Sequence, residues 1–241
     1  VGPIKAIEHF SPESVKKEII PRVCSGDAIV AVAMSEENAG TALTDLKTKG
    51  EINRDKIIIN GVKRWCSGGG HSDYYVVYCR LSDKPGANGI GAVLVEKNLP
   101  GVSFGVQEDL MGFRGIPSAD IFFENVEVGL DRLIVPAGGF SKLMEAFDLE
   151  RCGNAIMALG QAQAALDDVL NYVQERRQFG KPIIEFQAVQ LKLAEMAMQV
   201  EGARLLIYRA IVNAAHDLPS VYESSIAKCY SNESARKVTS S

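Results

Sequence analysis

Histidine is scarce in these 241 residues: only His9, His71 and His216 are present, and the five cysteines, Cys24, Cys66, Cys79, Cys152 and Cys229, form no CxxC pair. Zinc sites gather nitrogen and sulfur ligands at close spacing, so no metal site is expected. Charge of one sign is equally scarce, since 26 Lys and Arg against 30 Asp and Glu leave a net charge of -4. No global field then favours nucleic acid or an anionic lipid surface, and any anionic ligand must be held by local groups. No uncharged run approaches the roughly 20 residues of a membrane-spanning helix, and nothing at the start has the form of a signal peptide. Thiols outside a disulfide framework suit a reducing compartment, a bacterial cytoplasm or a mitochondrial matrix. What remains is an ordinary globular composition, 46% apolar and 23% charged, enough for one large domain or two medium ones.

The pattern changes twice along the chain. Residues 1–27 read as the end of a helical piece: in "SPESVKKEII" Ser11 suits an N-cap, Pro12 the first helical position and Glu13 the first turn. From 28 to 136 short runs rich in Val, Ile and Tyr alternate with Gly, Asn, Asp and Pro, which predicts six or more strands, mostly antiparallel. The Asn60-Gly61 step suits a tight type I′ hairpin, because both turn residues must accept positive φ. From 137 to 241 the period is helical: one long helix over 139 to about 176, a break at "RRQFGKP", a second over 183–216 and a third over 220–241. Val189, Leu193, Met196, Val200 and Ala203 recur every three or four residues, so these helices pack as a bundle. Both ends of the chain are helical in pattern, and the fold is expected to continue past each.

Three patches are candidates for chemistry. "AMSEENAGT", residues 33–41, follows a strand with small residues and a hydroxyl, which fits either a plain turn or backbone N–H groups facing an anion. "KRWCSGGG", residues 63–70, carries the only tryptophan; Trp65 is either sheet core or a stacking platform with Ser67 donating beside it. "QERRQFGKP", residues 174–182, places two arginines at a helix C-terminus, where they complement the dipole or clamp a pyrophosphate.

The order and spacing of these patches resemble the acyl-CoA dehydrogenase family, flavoenzymes that desaturate acyl-CoA thioesters at the α,β bond, over essentially the whole chain. "IPRVCSGDAIVAVAMSEENAGTALTDLKTKGE" is similar to the entry of that family's middle β-domain and "INGVKRWCSGGGHSDYYVVYCR" to its flavin hairpin. "ERRQFGKPIIEFQAVQLKLAEMAMQVEGAR", with Arg-x-x-Phe-Gly-Lys at its centre, resembles its helical signature. The resemblance implies an α+β multidomain fold, an antiparallel barrel- or sandwich-like β-domain followed by an up-down helical bundle. It also implies FAD as cofactor, an acyl-CoA substrate, an electron-transfer flavoprotein as acceptor and a homotetramer.

By the same resemblance Met34 and Ser35 lie near the isoalloxazine and its pyrimidine edge, Thr41 near pyrophosphate and pantetheine, Trp65 over the flavin and Ser67 near its N5 atom. Arg176 and Phe179 reach the FAD of a neighbouring subunit, with Gln187 at the same contact; Arg151, with Asn154, falls to the coenzyme A side. Two departures stand out: the family's Thr-Glu-Pro-x-Ala-Gly-Ser-Asp loop is replaced by Ser35 to Ala42 without the proline or the final aspartate. The family's remaining N-terminal helices and its distal Gly-Gly-rich segment would lie outside these residues.

"AFDLERCGNA", residues 146–155, holds the candidate base. Thioester α-protons are weak acids, and a positioned carboxylate on one face of the substrate suffices to remove one. In a minority of the family, similar to the isovaleryl and long-chain enzymes, that carboxylate stands at the position of Glu150; in most it stands in the distal segment. A helical wheel places Asp148, Glu150, Arg151 and Asn154 in one polar arc of roughly 160°, which fits a cleft or plain solvent equally. Asp148 and Arg151 at i,i+3 are the natural pair. The reading is α,β-desaturation with Glu150 as base; the rivals are a redox-inert paralogue serving as an assembly subunit, and a flavin-dependent enoyl-CoA reductase or eliminase.

Overall fold

The computed structural model describes all residues except Val1 and His216, so the reading of His216 as a potential metal partner lies outside the described residues. The chain divides into two compact units, Gly2–Ala146 and Phe147–Ser241.

In the first unit, helices α1 (Gly2–Phe10) and α2 (Glu13–Ser25) precede strands β1 (Val30–Ala33), β2 (Lys49–Asn53), β3 (Lys56–Ser67), β4 (Tyr74–Arg80), β5 (Ile90–Glu96), β6 (Val102–Phe104), β7 (Ser118–Gly129) and β8 (Leu133–Val135). All eight form one sheet, in the order β6-β7-β3-β2-β4-β5-β8 with β1 added on β4. The order has two ends, so the layered β-domain is an open sheet and not a closed barrel. Pairing is antiparallel except where β4 meets β1 and β2. Pro12, not Ser11, occupies the N-cap of α2; no side chain caps it, and the buried Ser11 hydroxyl has no partner among the described residues.

The near-continuous apolar runs of β4 and β5 are explained by burial on both faces. Tyr74, Val76 and Tyr78 face one core with Ile7 and Ile19 of the helices, and Leu143 from the start of α3 (Phe140–Glu175) joins it. Tyr75, Val77 and Cys79 face a second core, built with Ile57 and Ile59 of β3 and Ile121 of β7. The sheet therefore curls so that β3 and β7 cover the back of β4 and β5.

The hairpin expected at Asn60-Gly61 turns instead at Arg54-Asp55, with Asn53 opposite Lys56 and Arg54 at φ 55°. Asn60 lies mid-strand, opposite a bulge on β7 where the register shifts between Ile59 and Gly61 and Asn125 adopts φ 52°. Its side-chain oxygen accepts from the Asn125 N–H at 2.8 Å, and its amide donates to Asn125 Oδ1 at 3.2 Å. Asn60 thus satisfies a neighbour's bulge. Gly61 has φ 150°, and a Cβ there would sit 2.5 Å from Thr48 Oγ1 and 2.7 Å from Thr48 Cα.

In the second unit α3 runs on to Glu175, a short antiparallel pair (Arg177–Gln178 with Lys181–Pro182) makes the turn, and α4 (Gln187–Ala214) and α5 (Val221–Thr239) follow. The second helix starts four residues later than its pattern suggested, because Ile183–Glu185 forms a 3-10 turn. Met196, Val200 and Ala203 are buried as expected, packed with Leu159 and Ala162 of α3 and Ala227 of α5. Ser220 caps α5 by accepting from the Glu223 N–H at 3.2 Å.

Gly61→Ala should lose about 1–3 kcal/mol in urea unfolding, since the added methyl meets backbone and not a flexible tip. Gly112→Ala, whose new Cβ would meet nothing within 4 Å, should be near neutral; equal losses would remove the steric explanation.

Candidate functional site

The loop after β1 is built around a buried charge pair. Strand alternation carries Ile57, Ile59 and Lys63 inward, and Lys63 is fully buried. Its ammonium donates to the Met34 carbonyl at 2.9 Å and to Glu36 Oε1 at 2.8 Å. Glu36, 8% exposed, also accepts the backbone N–H groups of Lys47 at 2.6 Å and Thr48 at 2.9 Å. Glu36 and Ala39 exchange both backbone hydrogen bonds at 3.1 Å, closing a tight turn, and the Arg64 N–H donates to the Ser35 carbonyl at 2.9 Å. Met34 and Ser35 are therefore stapled to β3, whereas Thr41 lies exposed past the turn.

The pair sets the titration of its members. Burial pushes the Glu36 carboxyl up, but the Lys63 charge and hydrogen bonds from Lys63, Thr48 and Lys47 outweigh it and hold the group below its ordinary 4.5. Burial pushes the Lys63 ammonium down, against the opposing pull of Glu36. Cys66 and Cys79 share this interior; burial raises both thiols to about 12, so neither supplies a counter-charge at neutral pH.

Beyond Lys63 a second bulge, on β3, reverses the alternation: register shifts between Lys63 and Cys66, and Trp65 adopts φ 55°. Cys66 turns into the core and Trp65 turns out, 54% exposed. The core reading of Trp65 is thereby removed. Its backbone N–H donates to Asp120 Oδ1 at 3.2 Å, and the Arg64 guanidinium lies 5.2 Å from its ring centroid. Ser67 is exposed beside it, at the mouth of a turn where Gly68 and Gly70 have φ 80° and 77°. The Tyr75 hydroxyl ties this turn, donating to Gly68 O at 3.1 Å and accepting from the Gly70 N–H at 3.0 Å. Met34, Ser35, Trp65 and Ser67 thus lie on neighbouring positions of one loop and strand. Lys63, Glu36 and Asp120, which hold them, were not singled out from sequence, although alternation from Ile57 already pointed Lys63 inward.

A second group lies on α3. Asp148 pairs with Arg151 as its spacing suggested, but it is 1% exposed and does not join an outward polar arc. The reason is α5, from which the Ser224 hydroxyl donates to Asp148 Oδ1 at 3.2 Å. Arg151, half-buried, also stacks on Phe147 at 5.6 Å. Glu150 is half-buried and Asn154 exposed, its amide donating to the Glu150 carbonyl at 3.2 Å. The third group, Arg176, Phe179 and Gln187, is exposed around the turn after α3, with Phe179 92% exposed at φ 50°. At about 1.5 Å per residue, Arg176 stands roughly 40 Å along the helix from Glu150, so the two groups do not meet within one chain. Among the described residues no three His, Cys, Asp or Glu gather to hold a metal ion, and no helix is long and apolar enough to cross a membrane.

A depressed Glu36 pKa stabilises the fold fully above pH 4.5 and loses that contribution as pH falls through the lower folded value. Acid unfolding followed by circular dichroism should therefore be shallower below pH 4.5 when both charges are removed in E36Q/K63M; an unchanged slope would refute the linkage. Asp148→Ala removes the carboxylate partner of the Arg151 guanidinium and leaves the Ser224 hydroxyl only the Val221 carbonyl at 3.2 Å, and should cost about 1–3 kcal/mol in urea unfolding, with Ser224→Ala near 1 kcal/mol.

Residues 31–126 match the acyl-CoA dehydrogenase middle domain and residues 137–241 the acyl-CoA dehydrogenase C-terminal domain. A probable acyl-CoA dehydrogenase of Mycobacterium tuberculosis is 37% identical over 229 residues, 94% of this chain and 59% of that protein. A 3-sulfinopropanoyl-CoA desulfinase of Cupriavidus necator is 37% identical over 246 residues, 99% of this chain and 62% of that protein. The solved butyryl-CoA dehydrogenase of Megasphaera elsdenii superposes with a TM-score of 0.95 at 33% identity, covering 98% of this chain and 62% of its own. The chain thus spans about three fifths of the length of these relatives. Its sheet unit and its helices are those of the acyl-CoA dehydrogenase family, to which the chain belongs.

Proposed function

We propose that the protein of which these residues form part is an FAD-dependent acyl-CoA dehydrogenase that desaturates a thioester at its α,β bond. The observation that carries this reading is the outward Trp65, held beside Ser67 and the stapled Met34–Ser35 backbone. Apolar aromatic surface turned to solvent by a bulge is otherwise unfavourable, and it suits a planar heterocycle.

These residues fit a flavin. Trp65 would cover the ring, Ser67 would donate at its N5 side, and Met34 and Ser35 would line the pyrimidine edge with Thr41 towards the pyrophosphate. When bound, FAD supplies the acceptor for the substrate β-hydride. Glu150 removes the α-proton, and Arg151 and Asn154 hold the coenzyme A side. The Asp148 and Ser224 contacts fix Arg151, so its guanidinium is oriented before substrate arrives. Arg176, Phe179 and Gln187, roughly 40 Å along α3 from Glu150, would complete the FAD pocket of a neighbouring subunit in a homotetramer. An electron-transfer flavoprotein would take the electrons onward.

A second reading is favoured by the desulfinase relatives, which cover this chain as fully as the dehydrogenases do. In it the flavin site is kept while the C–S bond of a sulfinoacyl thioester breaks with its electron pair left on carbon, which takes a proton, and the sulfur departs as sulfur dioxide that water converts to sulfite, with no external oxidant consumed.

Anaerobic mixing of the full-length protein with a panel of acyl-CoAs should bleach the flavin absorbance with at least one thioester. No bleaching at stoichiometric FAD, with sulfite released from 3-sulfinopropanoyl-CoA, would replace the first reading by the second. Glu150→Gln should abolish bleaching while leaving flavin content intact; normal kinetics in that variant would place the base elsewhere.

A further inference from the structure

A lysine buried inside a sheet carries strong information, because an ammonium leaves water only for fixed anionic or carbonyl partners. Both partners of Lys63 belong to the loop that lines the candidate flavin edge: the Met34 carbonyl and the Glu36 carboxylate. Glu36 extends the link by taking the N–H groups of Lys47 and Thr48, the residues at which the loop returns to the sheet. One buried pair therefore joins β3, the start of the loop and its end. The flanking thiols of Cys66 and Cys79, neutral at physiological pH, offer no substitute anion. Nor is the tie a general feature of β3, since the pair at its other end, Lys56 with Glu127, is half-exposed and joins β3 to β7 instead.

We propose that Glu36 and Lys63 are positioning residues for the flavin site: together they fix the Met34–Ser35 backbone in its binding geometry before the cofactor arrives. The inference rests on the flavin reading above. Neither residue needs to touch the cofactor. Their effect is to remove the loop's alternative conformations, which binding would otherwise have to select against.

The test uses the full-length protein, stripped of FAD and reconstituted, as wild type, E36Q, K63M, E36Q/K63M and the control K56M. Three quantities are read: FAD dissociation constant by fluorescence titration, visible spectrum of the bound flavin, and melting temperature of the flavin-free protein. Each single variant should weaken FAD at least tenfold. The double variant, with no buried charge left alone, should regain most of the lost melting temperature yet keep the weakened FAD binding and a shifted flavin spectrum. K56M should match wild type in all three. Recovery of FAD affinity together with melting temperature in the double variant would reduce the pair to ordinary stability and overturn the proposal, as would wild-type affinity in K63M.

A measurement on unmodified protein decides the matter even if the variants fold badly. In flavin-free wild type the amides of Lys47, Thr48 and Arg64 should already be protected from hydrogen exchange, whereas exchange at open-chain rates would show that the cofactor orders the loop and would overturn the proposal. Wild-type protein that takes up no FAD would sink the flavin reading itself; wild-type protein with stoichiometric FAD beside an unaffected K63M would sink only this inference.

Discussion

The need of one buried ammonium for an anion organises the sheet unit. Lys63 is carried inward by the same alternation that buries Ile57 and Ile59, and it is fully buried. Of the groups around it, two thiols stay neutral and one carboxylate is charged, so the loop bearing Glu36 must fold back over β3. The loop's remaining features follow from that return: the Glu36–Ala39 turn, the Ser35 bond to β3, and the capture of the Lys47 and Thr48 amides. A buried pair of this kind contributes little net stability against an apolar replacement, but removing one member leaves the other stranded. Its value lies in specifying a single arrangement.

Much of the fold was legible because it is written in periodicity. The double-sided burial of β4 is visible in "YYVVYCR", and the helical bundle in the spacing of Met196, Val200 and Ala203. The two β3–β7 bulges were not legible. Each inserts one residue into one strand, at Asn125 and at Trp65, and neither residue is a glycine that would announce positive φ. Asn60-Gly61 misled for a related reason: asparagine and glycine are favoured wherever backbone demands are unusual. Here the demand was a neighbour's bulge and the closeness of Thr48, not a turn.

In the helical unit the i,i+3 rule found the Asp148–Arg151 pair, yet a helical wheel had no means of knowing that Asp148 faces α5. Burial of that carboxylate depends on a serine 76 positions away. The ends of α3 carry different candidate chemistry because a 36-residue helix is long enough to serve two places. Residue spacing shows that separation directly, at about 1.5 Å per residue, while what the Arg176 end meets is not written in that spacing.

In the family pattern a proline would restrict the chain at the position of Glu37, limiting φ by covalent structure. Here the same stretch is closed by paired backbone bonds between Glu36 and Ala39 and anchored through the Glu36 carboxylate. Glu36 keeps the glutamate of that pattern, so in the absence of the proline the constraint on this stretch is electrostatic and hydrogen-bonded. The strained Trp65 stands two residues from the other end of that anchor, with its backbone N–H held by Asp120. A non-glycine residue at positive φ costs of order 1–3 kcal/mol and persists only where its surroundings over-determine it. Lys63 pinned on one side of Trp65 and Cys66 buried on the other leave the chain little alternative but to turn the ring outward, so the residues that lock the loop and the residue that turns out from the sheet belong to one device.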